Sequence, residues 1–386
     1  MGNIGHIGHI GVDASRLAVA ARTGTERYGV ELIRALARLD RWHAYSLYCN
    51  ALPSALPPLG SNFSLCSLPF PRLWTHIRLS WEMYRTPPDL LFVPSHVVPL
   101  YHPRRPRCTV VTLHDLGYLA FPQAHTARRR LDLHLSTLWS ARAASHIIAI
   151  SQATKDDLVK HYRVPPEKIT VVHHGVAPHF HQPIKCDIIT ATQQRYATGE
   201  HYLLYVGTIQ PRKNLLRLID AFAEVVKGTY SDAALAQHLT LVLAGKRGWL
   251  TQEIEQRAAD HGIAKRVRFI GYVADEDLPA LLQGAHAFVF PSLYEGFGMP
   301  VLEAMASGTP VLTSTTTSLP EVAGDAALLV DPQSSQAIAT GITHLIADSA
   351  LRQRLSDRGK QWAQRFTWQR CAEETHHVLM SALRAQ

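Results

Sequence analysis

The stretch "SLYEGFGMPVLEAMASGTPV", Ser292–Val311, sets two acids, Glu295 and Glu303, on either side of a glycine-broken loop and a short apolar helix. The preceding "AHAFVFPS" reads as a buried strand, so Tyr294–Met299 forms the loop at its carboxyl end. Pro300 suits the first helical position, where it has no amide hydrogen to waste. Gly308 then stops the helix, and "TPVLTS" begins the next strand. Gly296 and Gly298 permit backbone shapes that other residues resist and bring amides close to a ligand. The helix start offers N–H groups and a partial positive charge. Glu295 therefore lies at a ligand edge. Glu303, about one turn into the helix, can accept hydrogen bonds from a vicinal diol such as a ribose. Taken singly, each acid is better read as a loop or helix-surface residue; the combined string is far more specific.

Working outward, strand and helix alternate along all 386 residues, which predicts parallel sheets with helices on both faces. "HIGVDA", "YSLYC", "LLFVP", "CTVVTL", "HIIAIS" and "ITVVHHG" read as strands of a first domain, residues 1–185. The pattern lapses over Pro178–Gly199, read as a linker with room for a helix. It then resumes with "YLLYVG", "LTLVLAG", "RVRFIGYV", "AFVFPS", "PVLTS" and "AALLVD" in a second domain, residues 196–365. The fold class is α/β: two doubly wound domains of about the size expected for a chain this long. Ligands of such sheets sit at the carboxyl ends of the strands, so the cleft between the domains is the expected active site.

Three further stretches fall at strand ends. In "YVGTIQPRKNLLRLIDAF" a strand ends at Gly207 and a helix starts near Asn214, with Arg212 and Lys213 at the junction. Two cations beside a helix start suit a diphosphate, Arg as a planar fork and Lys as a point charge; an isolated pair would read as a solvated turn. In "TVVTLHDLGYLAFP" His114 and Asp115 follow a buried strand and should face the cleft, against the alternative of a satisfied core histidine. "ARTGTERYGVEL" is a glycine-containing loop before a helix; Gly24 and Gly29 either admit a ligand or make a plain turn.

Composition narrows the class. Five cysteines are scattered with no C-x-x-C pair, which argues against a zinc site and against a disulfide framework. The 22 histidines are densest in "HHGVAPHFH", but no H-E-x-x-H accompanies them and a metal there is disfavoured. Asp275-Glu276-Asp277 forms a D-x-D, a pattern that elsewhere binds divalent ions; opening a helix, it reads better as first-turn acids. No metal site is expected. Nor does any stretch read as a secretory signal or a membrane span, so a cytoplasmic location is expected. Residues 1–200 carry 22 Lys+Arg against 13 Asp+Glu, while residues 201–386 carry 17 against 18. The basic first half brings "YHPRRPRC" and "TARRRLDLHL" together with "RLWTHIRLSWEMYR", whose Trp74, Trp81 and Tyr84 interleave with Arg78 and Arg85. Such a surface suits the inner face of an anionic membrane; an amphipathic helix packed into the core is the slightly preferred alternative. A sequence pI near 9.3 without a nucleic-acid motif does not indicate nucleic acid.

These residues resemble the retaining glycosyltransferases of family 4, two-domain enzymes of the GT-B fold. The resemblance covers nearly the whole chain. It is strongest in "VGTIQPRKN", "LVLAGKRGW", "VRFIGYVADEDLPALL", "FVFPSLYEGFGMPVLEAMASGTPVLTS" and "SLPEVAGDAALLVDP", with the E-x7-E spacing met by Glu295 and Glu303. It implies that Arg212 and Lys213 hold the diphosphate of a nucleotide-sugar donor, GDP- or UDP-linked, with Gly207 on the same donor side. Glu303 would bind the ribose and Glu295 the transferring sugar, aided by the Gly296 turn and the amides of Phe297, Gly298 and Met299. Tyr272 and Val273 would border the base, and Gly24 would lie near the phosphates. His114 would approach the reacting face of the sugar, with Asp115 and Tyr28 on the acceptor side. The terminal helix "FTWQRCAEETHHVLMSAL" would cross back to the first domain. Many relatives have a Gly-Gly pair in the first loop, where this chain reads Thr-Gly-Thr.

The activity so implied is transfer of a mannose- or glucose-type hexose to a saccharide or lipid-linked acceptor in polysaccharide or glycoconjugate synthesis. No cofactor or metal is expected beyond the donor. Closure of the two domains about the linker and the terminal crossing would exclude water, an expectation that scattering with and without nucleotide tests. Two alternatives remain: a nucleotide-sugar epimerase or phosphorylase on the same fold, and a non-catalytic nucleotide-sugar-binding module.

Overall fold

The computed structural model describes residues 8–18, 24–53, 57–95, 97–100, 108–122, 126–228, 238–246, 248 and 251–385. Most of "YHPRRPRC", Ala21–Thr23 of the first loop, and Arg247 and Trp249 lie outside the described residues.

The chain divides into two compact units, Met1–Gly175 with Thr367–Gln386, and Val176–Phe366. The first holds seven parallel strands: β1 (His9–Asp13), β2 (Ala44–Cys49), β3 (Phe63–Ser67), β4 (Leu90–Val93), β5 (Cys108–Leu113), β6 (His146–Ala149) and β7 (Ile169–Val171). Their order is β3-β2-β1-β4-β5-β6-β7. The second holds six: β8 (Tyr202–Val206), β9 (Thr240–Ala244), β10 (Val267–Gly271), β11 (Ala287–Phe290), β12 (Val311–Ser314) and β13 (Leu328–Val330), in the order β10-β9-β8-β11-β12-β13. Among the described residues every pairing is parallel. Strands such as β5, β9 and β11 are buried at every residue, as helices on both faces of a parallel sheet require. The two sheets share one topology: sequence order runs outward one way and then reverses, at β1/β4 in the first sheet and at β8/β11 in the second.

Two expectations change, and one strand was missed. The division falls between Gly175 and Val176, upstream of the stretch read as linker. Within that stretch the helix for which the sequence left room is Cys186–Arg195, packed on Leu278–Gly284 with Thr192 as its buried residue. Strand β3 gave no signal because its residues are all half-buried or exposed. Asp277 stands at the start of the Leu278–Gly284 helix without capping it by its side chain. Its carboxylate instead accepts from Arg195 Nη1, 2.8 Å from both oxygens, and from Tyr196 Oη at 2.8 Å.

The C-terminal segment does cross back. The Trp368–Arg384 helix packs on Gly24–Leu39 within the first unit. At the crossing, Val176 N donates to the Phe366 carbonyl at 3.0 Å, while a Cβ on Gly175 would stand 2.2 Å from Trp368 N, so only glycine lets the outgoing and returning chains lie this close.

Candidate donor and acceptor sites

In the second unit the reversal of strand order brings two loops side by side, one after β8 and one after β11. The first makes a single 3-10 turn, Pro211–Lys213, which puts Arg212 and Lys213 on adjacent positions. Asn214 ends the turn at φ 62°, a left-handed conformation that asparagine tolerates. Its side-chain amide donates to the Pro291 and Pro332 carbonyls, at 3.0 and 2.6 Å. Leu293 N donates to the Arg212 carbonyl at 2.9 Å. The two loops are thus pinned through their backbones, and the cations inherit that rigidity.

Glu295 lies between those cations. Arg212 Nη1 donates to Glu295 Oε2 at 3.0 Å and to the Tyr294 carbonyl at 2.9 Å, while Lys213 Nζ bonds Glu295 Oε1. With its amide oriented to match, Gln210 accepts from Arg212 Nε at 2.9 Å. Lys213 and Glu295 are both buried. Burial alone would raise the Glu295 pKa, but the charges of Arg212 and then Lys213 outweigh it and hold the carboxyl below its usual value. The group is therefore ionised, and the trio carries a net single positive charge behind the loop. Neither composition nor spacing foretold this direct pairing; the two stretches are 82 residues apart.

The loop itself is held from a third side. Glu295 N donates to Thr317 Oγ1 at 3.1 Å, and Ser318 Oγ lies 2.9 Å from both the Glu295 and Phe297 carbonyls, donating to one at a time. Sequence reasoning missed both hydroxyls; the signal available was "TTSLPE", a polar run just past β12. Gly298 caps the Met299–Ala306 helix at φ 103°, and a Cβ there would sit 2.7 Å from Leu319 Cδ2. Conformation and packing both demand glycine. The helix begins at Met299, with Pro300 one position inside it, and Glu303 is buried on its second turn.

Gly207 follows β8 at the place where the loop after β9 approaches most closely: a Cβ on Gly245 would stand 2.0 Å from the Gly207 carbonyl oxygen. Further along the same ends, Tyr272 is exposed and Val273 buried, with Lys246 Nζ 5.8 Å from the centre of the Tyr272 ring. An exposed aromatic face at this edge is available for stacking on a base. The structure thus gathers Arg212, Lys213, Glu295 and Gly296–Met299 about the reversal. Tyr272 and Val273 stand two strands away.

The first unit supplies a different group. His114 follows β5, is buried, and donates from Nε2 to the Pro94 carbonyl at 2.8 Å; a carbonyl only accepts, so Nε2 carries the proton. Tyr28 is wholly enclosed, its hydroxyl 3.1 Å from Thr112 Oγ1, its ring edge-on to His114 and stacked on His174. Its placement corrects the expectation of an acceptor contact: Tyr28 packs behind His114 and fixes that ring. His174 is buried, and desolvation, followed by the neighbouring histidines, holds its pKa well below the ordinary value. Sequence reasoning had weighed this histidine only as part of a metal cluster. Asp115 accepts from Gly117 N at 3.0 Å, closing the turn into Gly117–Ala120. Gly24 is exposed at the start of its helix.

Two parallel-sheet units, with a charged loop pair at the carboxyl ends of the second sheet, define an enzyme of the GT-B class. Residues 22–180 match the family described as Glycosyltransferase Family 4, and residues 190–362 match Glycosyl transferases group 1. The chain is 30% identical over 374 residues to the O-antigen chain mannosyltransferase B of Escherichia coli, covering 92% of this chain and 94% of that one. In fold it is similar to the sucrose-phosphate synthase of Thermosynechococcus elongatus (TM-score 0.74, 20% identity, 98% of this chain and 100% of that one). It is likewise similar to HepE of Anabaena, solved with UDP and glucose (TM-score 0.71, 20% identity, 97% and 99%). The chain belongs to the group 1, family 4 glycosyltransferases.

Proposed function

We propose that this glycosyltransferase moves a hexose of the mannose type from a nucleoside-diphosphate donor to a saccharide or lipid-linked acceptor, with retention and without a metal ion. The carrying observation is the rigid Arg212–Lys213–Glu295 group at the strand reversal of the second sheet. Breaking a sugar–diphosphate bond leaves negative charge on the leaving phosphate. Two fixed cations and the amides at the start of the Met299–Ala306 helix are suited to stabilise it. Glu295 is ionised and engaged with both cations, which makes it a poor proton donor and a good acceptor for sugar hydroxyls. In a retaining transfer the acceptor's proton would pass to a donor phosphate oxygen, on the face that the leaving group vacates. The mannose reading is supported by the name of the Escherichia coli relative, and the nucleotide reading by the UDP held by the HepE fold.

A panel of GDP- and UDP-linked sugars, read by thermal shift and then by product analysis with and without acceptor, tests this. Conversion of donor alone to an epimer, or release of sugar 1-phosphate from glycan, would replace transfer with one of the other reactions of the fold.

For location, we infer contact with an anionic membrane face through the first unit. Trp74, Leu79 and Met83 are buried, whereas Ile77, Trp81 and Tyr84 of the same segment are exposed around an open groove of about 770 Å³ that Arg78 also lines. Among the described residues no helix is long and apolar enough to cross a membrane. Co-sedimentation with phosphatidylglycerol vesicles, lost in a Trp81→Ser/Tyr84→Ser double variant, is the expected result; equal sedimentation of both proteins would refute it.

A further inference from the structure

At the far end of the Gly24–Leu39 helix the chain turns into β2, and Asp40 sits at that turn, buried. Its Oδ1 accepts from two amides, Trp42 N at 2.9 Å and His43 N at 3.2 Å. Asn62 clamps the turn from outside, its amide nitrogen donating to the Asp40 and His43 carbonyls at 3.0 and 2.8 Å. All freedom of the carboxylate is thereby spent, and Oδ2 is aimed at three side chains. His43 Nδ1 is 2.8 Å away, Tyr45 Oη 2.8 Å and His376 Nε2 3.1 Å. His43 is buried and His376 has a quarter of its side chain exposed. Asp40, His43 and Tyr45 are local in sequence. His376 comes from the terminal helix, 336 residues on.

A carboxylate oxygen offers two lone pairs, and here three donors converge on one. A cation held between that oxygen and two neutral imidazole nitrogens would relieve the crowding, because the nitrogens then act as ligands and only Tyr45 remains a proton donor. The separations suit it. Ligand atoms bound at ~2.0–2.1 Å on a tetrahedral ion stand roughly 3.4 Å apart, so on binding His376 Nε2 would draw back from Oδ2 by roughly 0.3 Å and His43 Nδ1 by roughly 0.6 Å. All three ligand atoms lie within 4.8 Å of one another. Imidazole, imidazole and carboxylate are a donor set for zinc, and solvent on the His376 side can supply a fourth ligand. The backbone bonds to Oδ1 and the Asn62 clamp are the outer support such a site requires.

We propose that Asp40, His43 and His376 bind a divalent zinc-class cation that staples the terminal helix to the turn before β2. The site lies by the amino ends of β1 and β2, and the Gly24–Leu39 helix, about 24 Å long at 1.5 Å per residue, separates it from the loop at Gly24. It therefore takes no part in sugar transfer, and its role is to hold the returned helix in place.

The test uses the full chain, stripped with EDTA, and Co²⁺ and Zn²⁺ as probes. Stripped protein is expected to take up about one Co²⁺ with the intense d–d absorption of a four-coordinate ion, displaced by Zn²⁺. Free Zn²⁺ about a hundredfold above Kd should raise the melting of the first unit by roughly 5–10 °C. His376→Gln, at a partly exposed position that should leave folding intact, and His43→Gln should each abolish the band and the rise. His181→Gln, outside the cluster, should change neither. A stripped protein that shows no four-coordinate band overturns the proposal. So does a band or a rise that survives in His376→Gln, since it would then come from the chain's other histidines.

Discussion

Each sheet has a cation paired with a carboxylate near the strand where the order reverses, within one connection in the first sheet and across two loops in the second, and the pairs differ in kind. After β1, Arg16 Nη1 lies 3.3 Å from Glu26 Oε1 with half of the arginine side chain in solvent. After β8, Arg212 and Lys213 enclose Glu295, and only 8% of each of the Lys213 and Glu295 side chains is exposed. Water screens the first pair and leaves it weak. The second sits where charges are costly unless matched, so each member depends on the others. The two carboxylates are equally buried, so it is the depth of the cation that separates the two pairs.

The contrast can be broken at its strongest point first. Glu295→Ala leaves two cations without their carboxylate and should destabilise the second unit by about 3–5 kcal/mol in a calorimetric melt, whereas Arg16→Gln should cost the first unit at most about 1 kcal/mol. Equal effects would erase the distinction. Lys213→Ala should lower kcat by about 10²–10³ with a smaller change in stability, because Arg212 still holds Glu295. Unchanged turnover would show that the pair serves only the fold. Gly298→Ala must adopt φ 103° and push Leu319 aside; it should cost about 1–3 kcal/mol, read as a lower melting temperature.

Acid sharpens the comparison. The folded-state pKa of Glu295 lies below its reference value of 4.5, so the unfolded chain binds more protons in that window. Its contribution is complete above about pH 4.5 and is lost as pH falls through the folded value. The stability gap between wild type and Glu295→Gln should therefore be full at pH 7 and shrink in acid; a gap that widened would reverse the sign. Smallest of all, Tyr28→Phe removes one buried hydrogen bond to Thr112 and should cost about 1 kcal/mol with transfer nearly intact.

The doubly wound architecture was legible because buried parallel strands are written as apolar runs, and twelve of the thirteen strands among the described residues were read that way. β3, at the sheet edge and half-buried or exposed at every residue, carries none. The loops after β8 and β11 were legible because glycine, proline and adjacent cations occur where strands end. What could not be seen was contact across distance: that Glu295 pairs with Arg212 and Lys213, that Ser318 and Thr317 brace its loop, that Tyr28 faces inward. Tyr28 illustrates the reason. Helical periodicity puts a residue on a face, but only the packed chain, here Trp368 from the returning helix, decides whether that face meets solvent.

The paired crossing at Gly175 and Thr367 has a consequence for the order of assembly on the ribosome. The half made first lacks a wall until Thr367–Gln386 emerges, while the half made second is complete before that segment. A nascent chain must therefore carry an open amino-terminal unit until that segment is made, and a stop codon just before Thr367 would injure the portion translated earliest.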